Sequence, residues 1–228
     1  MRRLFIIAIA ATIVSLGLFA QQRNRLESTR RVTEHRVSIH IYPEELNSRD
    51  QLTDGDTERL FRLDDNTLLI WVDLEPGLFF SHSTAYVLIS SEGVRVERGN
   101  WWPVLNGHRI LYGQQNRTPV ISPFSIWSEA EPVNVHFYSE VLDPSNNLSD
   151  GTDDPIPLES RTFLAWVDLH PGLFFTHQTA YLLIGADKSI TVIDGGWWPE
   201  LNGKTVLYNN QNKHGITSPF ELRGGPGR

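Results

Sequence analysis

Trp71–Ile89 reads WVDLEPGLFFSHSTAYVLI, and Trp166–Ile184 reads WVDLHPGLFFTHQTAYLLI; fifteen of the 19 positions are identical. Each stretch opens with an apolar run, meets a Pro-Gly pair, and resumes as a second apolar run. Short runs rich in Val, Ile, Leu, Trp and Tyr predict strands, and Pro-Gly forces a turn between them. The likeness extends outward on both sides. Trp101-Trp102-Pro103, Asn106-Gly107 and Ser122-Pro123-Phe124 recur as Trp197-Trp198-Pro199, Asn202-Gly203 and Ser218-Pro219-Phe220. Upstream, Val37–Tyr42 matches Val133–Tyr138, and both alternate apolar with polar residues as a half-buried strand does. The chain is thus one β-rich unit written twice. A chemical group that works in both copies should appear in both.

Working along one copy, the polar stretch Asn47–Glu58, matched by Asp143–Asp154, reads as a loop. Thr67–Leu74 and Thr162–Leu169 read as strands covered on both faces. Tyr86–Ser90 and Tyr181–Ile184 are their partners. Ser91-Glu92-Gly93 and Ala186-Asp187-Lys188 are turns, the second longer by one residue. Asn106-Gly107 and Asn202-Gly203 supply the positive φ angles of a two-residue hairpin turn. No helical period shows outside the N-terminal leader. These signals predict an all-β fold, a tandem duplication of a roughly 95-residue antiparallel meander of five or six strands per copy. One such sheet has an apolar face that needs a cover, and the other copy is the nearest one. The expected packing is two fused β units, or one pseudo-twofold sandwich or barrel. The expected divisions are residues 1–31 as a leader with a basic linker, 32–130 as the first repeat and 131–228 as the second.

In the leader, Arg2-Arg3 precede an apolar run from Leu4 to Ala20. That is the plan of a secretory signal peptide. The run is also close to the ~20 residues of a membrane-spanning helix, so an uncleaved N-terminal anchor is the rival reading. Arg residues flank the run on both sides, so charge hardly decides the orientation of an anchor; the expected body is extracytoplasmic, secreted or periplasmic, with membrane contact only through the N-terminal segment, and a cytoplasmic body is the third reading. Residues 1–31 hold six Arg and one Glu, a net +5, so residues 32–228 carry −12 within a chain total of −7. An acidic body repels phosphate backbones, which argues against nucleic acid as a partner. The chain has no Cys. Disulfides and lipidation on Cys are therefore excluded, and packing and hydrogen bonds must hold the fold.

The duplication filters the candidate sites. His40, His82, Asp73 and Tyr86 recur as His136, His177, Asp168 and Tyr181. If their strands are neighbours, imidazoles, phenols and a carboxylate converge, and such a set suits acid–base work or a Zn²⁺ ion. A hydrogen-bonded buried network accounts for the same residues, and an Asp before Pro-Gly ordinarily accepts from the turn's amides. Trp101-Trp102 and Trp197-Trp198 form a second candidate. Strand alternation predicts one Trp of each pair inward and one outward, the outer ring free to stack on a sugar beside Asn106 or Asn202. The acidic stretches Asp54–Glu58 and Asp150–Asp154 offer oxygen ligands for Ca²⁺ without matching a calcium-loop pattern. No cofactor motif is evident, and no nucleophile recurs except Ser122 and Ser218, each before Pro, where a turn role suffices. A triad of His40, Asp73 and Ser122 can be written but has no further support.

These readings lead to an exported, duplicated β-protein that acts as a binding or structural module, with carbohydrate or a cell-envelope component as the ligand class. Two alternatives stand beside it. One is a hydrolase-type enzyme using the duplicated His/Asp set, with or without a metal. The other is a membrane-anchored scaffold with a protein partner.

Overall fold

The computed structural model describes residues 36–112, 118–127, 132–151, 154–208 and 215–224. The leader and basic linker, most of the Ser128–Pro132 connection, and residues 152 and 153 of the second acidic stretch lie outside them. The described chain is all-β, and His35–Gly224 form one compact unit. The first half holds β1 Arg36–Ile41, β2 Leu52–Asp54, β3 Leu60–Phe61, β4 Leu68–Asp73, β5 Thr84–Ser90, β6 Gly93–Gly99, β7 Pro103–Leu105, β8 His108–Arg109, β9 Thr118–Ile121 and β10 Phe124–Ile126. The second half holds β11 Val133–Phe137, β12 Leu148–Ser149, β13 Pro155–Ile156, β14 Thr162–Asp168, β15 Thr179–Gly185, β16 Ile190–Gly195, β17 Glu200–Leu201, β18 Lys204–Thr205, β19 Gly215–Ser218 and β20 Phe220–Arg223.

All pairing is antiparallel. Two five-stranded sheets run in the orders β20-β1-β4-β5-β6 and β10-β11-β14-β15-β16. Two four-stranded sheets, β3-β2-β7-β8 and β13-β12-β17-β18, and the pair β19-β9 complete the set. None of the sheets closes on itself, so the barrel alternative does not hold for the described residues. Nor is each half a simple meander. In the large sheets, only β4-β5-β6 and β14-β15-β16 follow in chain order within a half, because the short strands after β1 and β11 leave to form the small sheets. The last strand of each half also pairs with the first strand of the other: β10 with β11, and β20 with β1. Ser122 and Ser218 secure these joins. Each precedes a cis Pro, and each hydroxyl oxygen accepts a backbone N–H of the other half, from Phe137 at 2.8 Å and Ile41 at 2.9 Å.

Burial explains the composition of the central strands. Every residue of β4, β5, β14 and β15 is buried. One face of each large sheet enters a shared apolar cluster that holds Ile39, Ile70, Val72 and Val87 from one and Val135, Phe163, Val167 and Leu182 from the other. The opposite face of the first sheet gives Leu69, Trp71, Tyr86 and Leu88 to a second cluster with Leu52 and Phe61 of the small sheet. Leu164, Trp166, Tyr181 and Leu183 do the same beside Leu148 and Ile156. A strand covered on both faces reads as an unbroken apolar run, as these do. The hairpins form as expected: Asn106 and Gly107 take φ of 51° and 80°, and Asn202 and Gly203 take 52° and 75°.

Candidate functional site

Strand register places the polar side chains in rows across the face that leaves the shared core. The first row of the first sheet runs Glu221, Ser38, Asp73, Thr84, Gly99, and the next runs His40, Trp71, Tyr86, Glu97. In the other sheet the rows are Ser125, Asn134, Asp168, Thr179, Gly195 and His136, Trp166, Tyr181, Ile193. Side chains directly opposite on neighbouring strands share a face and touch.

His82 and Asp73 meet across the Pro-Gly turn. His82 Nε2 lies 3.0 Å from Asp73 Oδ1, and His82 Nδ1 lies 2.7 Å from the Phe80 carbonyl oxygen. A carbonyl only accepts, so Nδ1 carries a proton. The pair is buried, and the two contacts fix the ring between the carboxylate and the loop backbone. Burial raises the pKa of Asp73, and the Glu75 amide, which donates to Oδ1 at 2.9 Å, and His82 act against that rise. His177 repeats the arrangement, 2.9 Å from Asp168 and 2.7 Å from the Phe175 carbonyl. The Asp does accept from its turn, as expected, and it also fixes the His that closes the loop.

His40 does not join this pair. It lies one row away, its ring 5.0 Å from Trp71 and 5.2 Å from Trp102, with Nε2 3.1 Å from Ser38 Oγ. Desolvation lowers its pKa from 6.5 to about 4, so it is neutral at pH 7. His136 sits in the same rings, 5.2 Å from Trp166 and 5.1 Å from Trp198, and burial lowers it to about 4 as well. Asn134 stands where Ser38 stands, and His136 Nε2 is buried without a partner among the described residues. Tyr86 and Tyr181 turn their hydroxyls elsewhere: they donate to the carbonyls of Trp101 at 2.8 Å and Trp197 at 2.7 Å. The four-residue convergence expected in each copy thus resolves into a His–Asp pair, a His in an aromatic box, and a Tyr that pins the Trp backbone.

The Trp pairs also depart from expectation. Trp101 and Trp102 precede β7 rather than lie in it, so alternation does not apply, and both are half-buried. Trp102 packs 4.1 Å from Trp71 and edge-on to Tyr112 at 5.3 Å, while Trp101 stands edge-on to His82 at 5.5 Å. Trp197 and Trp198 are likewise half-buried. Trp101, Trp102 and Tyr112 form one wall of a cavity of about 390 Å³. Pro76, Gly77, Leu78 and Phe79 form its lip, and Ser38, His40 and Asp73 its polar floor. Pro219 and Glu221 close it from β20, so residues of both halves build the site.

Other candidates are engaged elsewhere. Asn106 Oδ1 accepts the Gln51 amide at 2.9 Å and its Nδ2 donates to Asp50, and Asn202 Oδ1 accepts the Asn147 amide at 2.9 Å. These Asn side chains lock hairpins to neighbouring turns and do not line the cavity. The Asp54 carboxylate accepts the amides of Asp56 and Asn100, which organises the acidic turn. Among the described residues, no group of three His, Asp or Glu side chains is placed to hold a metal ion. Ser122 serves the β10–β11 join, so the triad with His40 and Asp73 is not assembled.

One feature escaped sequence reasoning. Leu78, Phe79 and Phe80 are exposed, as are Leu173, Phe174 and Phe175, and Phe79 and Phe174 reach 93% and 90%. The signal was present: an identical apolar triplet after Pro-Gly in both copies. The triplet stands in solvent in both copies. Among the described residues, no helix is long and apolar enough to cross a membrane. Comparison of the chain with protein-family models, with curated proteins and with solved structures finds no match to any of them.

Proposed function

We propose that this is an exported binding module for carbohydrate or a cell-envelope component, in which two copies of one β unit pack as a pseudo-twofold sandwich and exchange their last strands. The observation that carries the reading is the composite cavity: a mostly apolar hollow of about 390 Å³, walled by two half-buried Trp and an exposed Tyr, with a few polar groups at its floor. Pockets of that size and lining bind small molecules, and indole faces stack on sugar rings while carboxylates accept their hydroxyls. The leader, residues 1–31, carries the body out of the cytoplasm as a cleaved signal or holds it there as an anchor. Membrane contact is then confined to that segment, and the acidic body does not engage nucleic acid.

A thermal-shift and tryptophan-fluorescence titration against oligosaccharides tests this. Ligand at about 100 times its dissociation constant adds ~2.7 kcal/mol. For a body of this size that is a rise of roughly 5–10 °C. Absence of any shift or quenching across neutral, acidic and amino oligosaccharides would sink the reading.

One observation favours a hydrolase as the second reading: Ser38 Oγ stands 3.1 Å from His40 Nε2 on the cavity floor, beside Asp73. Against it, Asn134 replaces Ser38 in the other copy. His82→Gln separates the two. A clamp role lowers the melting temperature and leaves ligand affinity measurable, whereas a catalytic role abolishes turnover with a small change in stability. Ca²⁺ and Zn²⁺ remain probes for the same screen.

A further inference from the structure

The two halves permit a residue-by-residue comparison of the cavity lining with the equivalent positions of the other half. Of the 12 residues that line the cavity, ten have an identical residue at the equivalent position of the other half. The two that differ are Ser38, which corresponds to Asn134, and Glu221, which corresponds to Ser125. These two positions face each other in register, Ser38 opposite Glu221 and Asn134 opposite Ser125. Divergence has therefore fallen on one cross-strand pair, while the rings, the His and the Asp around it are the same. A shared wall implies a shared mode of contact, and the differing pair must set what differs between the two sites.

The difference is chemical. The cavity has a carboxylate at Glu221, and the equivalent position of the other half has the hydroxyl of Ser125. Among the described residues the first cavity is lined by Asp73 and Glu221 and by no Lys or Arg. Asp73 is buried and engaged by His82, so Glu221 is the carboxylate of the lining that stands open to a ligand. Two cations stand outside the wall. Arg223 lies 3.5 Å from Glu221 with both side chains more than half exposed, and Arg109 lies 5.7 Å from the centre of the Tyr112 ring. An exposed pair such as Glu221–Arg223 is weak and yields to a better-placed cation. A carboxylate beside Trp and Tyr faces suits an ammonium group, which gains from the charge and from the ring quadrupoles together.

On the reading that the cavity binds glycans, we propose that the first site selects a sugar bearing a free amino group, through Glu221, and that the site around Asn134 and Ser125 does not. The two sites are then non-equivalent, and the cross-strand pair 38/221 against 134/125 is the specificity determinant.

Isothermal titration of the full chain with the tetramer of glucosamine and with the tetramer of N-acetylglucosamine tests this, since the two differ in charge at one atom per ring. The expected result is tighter binding of the amine form by about fivefold, the scale of a half-exposed charge pair. The preference falls with added salt and is lost in Glu221→Gln. The paired variant Asn134→Ser with Ser125→Glu raises the number of amine-preferring sites from one to two. Equal affinity for the two tetramers, or a preference that survives in Glu221→Gln, overturns the selectivity while the glycan reading stands. Binding of neither tetramer, nor of any other oligosaccharide, overturns both.

Discussion

Replacing Asn134 by Ser should make the protein more stable, although it shortens a side chain. The two halves supply the reasoning. His40 and His136 occupy the same aromatic surroundings to within 0.2 Å of ring spacing. Both are buried and neutral, and each needs a partner for Nε2. Ser38 provides one at 3.1 Å, whereas Nε2 of His136 has none among the described residues. Asn134 holds the same register position opposite Asp168 that Ser38 holds opposite Asp73. Ser at 134 therefore delivers a hydroxyl where the orphan nitrogen lies. A buried unsatisfied group costs ~1–3 kcal/mol, and a net hydrogen bond returns ~0.5–1.5. Allowing for the packing lost with the amide, the gain is about 1–2 kcal/mol. Chemical denaturation measures it directly, and the melting temperature should rise by roughly 2–8 °C. Ser38→Asn should create the same orphan and lose a similar amount. The two sites share no partner, so the double exchange should return close to the parent value. No gain in Asn134→Ser, or no loss in Ser38→Asn, would refute the argument that Nε2 satisfaction separates the halves.

Further outcomes follow from the same geometry. His40 and His136 are held near 4 by burial while the unfolded chain titrates at 6.5, so the unfolded state binds protons first as pH falls. Stability should therefore drop between pH 6.5 and 4, by about 2–3 kcal/mol per His at pH 4.5. Asp73, whose pKa is raised, offsets part of that loss; urea midpoints at pH 7 and 4.5 check the sign. Phe79→Ser and Phe174→Ser remove side chains that stand in solvent, so each should change stability by less than ~0.5 kcal/mol. Phe79→Ser should still weaken ligand binding, because Phe79 lines the cavity; unchanged affinity would remove it from the site. Gly99→Ala and Gly195→Ala would put a Cβ 2.4 and 2.3 Å from the rings of Tyr86 and Tyr181. Those rings are buried and pinned through their hydroxyls, so each change should cost about 1–3 kcal/mol in thermal unfolding.

Local chemistry was legible in the chain. Runs such as Leu68–Asp73 and Thr84–Ser90 read as strands because covered strands need apolar residues at every position, and Asn-Gly read as a hairpin because few residues accept its φ angles. Asp73 and His82 were visible as a recurring pair, but the contact between them depends on how the Pro-Gly loop folds back, which spacing alone does not state. Non-local pairing was not legible. Nothing in Phe124–Ile126 or Phe220–Arg223 says which half each strand joins, and that choice makes the cavity composite. The Trp expectation failed for a definable reason. Alternation holds only within a strand, and Trp101-Trp102 lie just before one. The exposed Leu78-Phe79-Phe80 tip carried no expectation from the sequence. Hydrophobicity marks what tends to be buried, and these apolar residues stand at an exposed loop tip.

The exchange of last strands has a consequence for the halves in isolation. Residues 32–130 alone would keep β1 but lose its neighbour β20, and would keep β10 but lose β11. They would also uncover the twelve side chains, from Val37 to Ile126, that this half gives to the shared cluster. If only half of those lost their cover, at ~1.5 kcal/mol each, the penalty would be on the order of 9 kcal/mol. That is comparable with the whole stability of a domain, ~5–15 kcal/mol. A monomer of one half should therefore not fold. A second copy of the same half repairs both defects, because β10 of one chain can take the place of β20 beside β1 of the other. The first half expressed alone is thus expected as a symmetric dimer in sedimentation. Its cavity would then carry Ser125 in place of Glu221. A folded monomer of residues 32–130 would refute the argument, since it would show that neither the exchanged strand nor the shared core is needed to hold one half together.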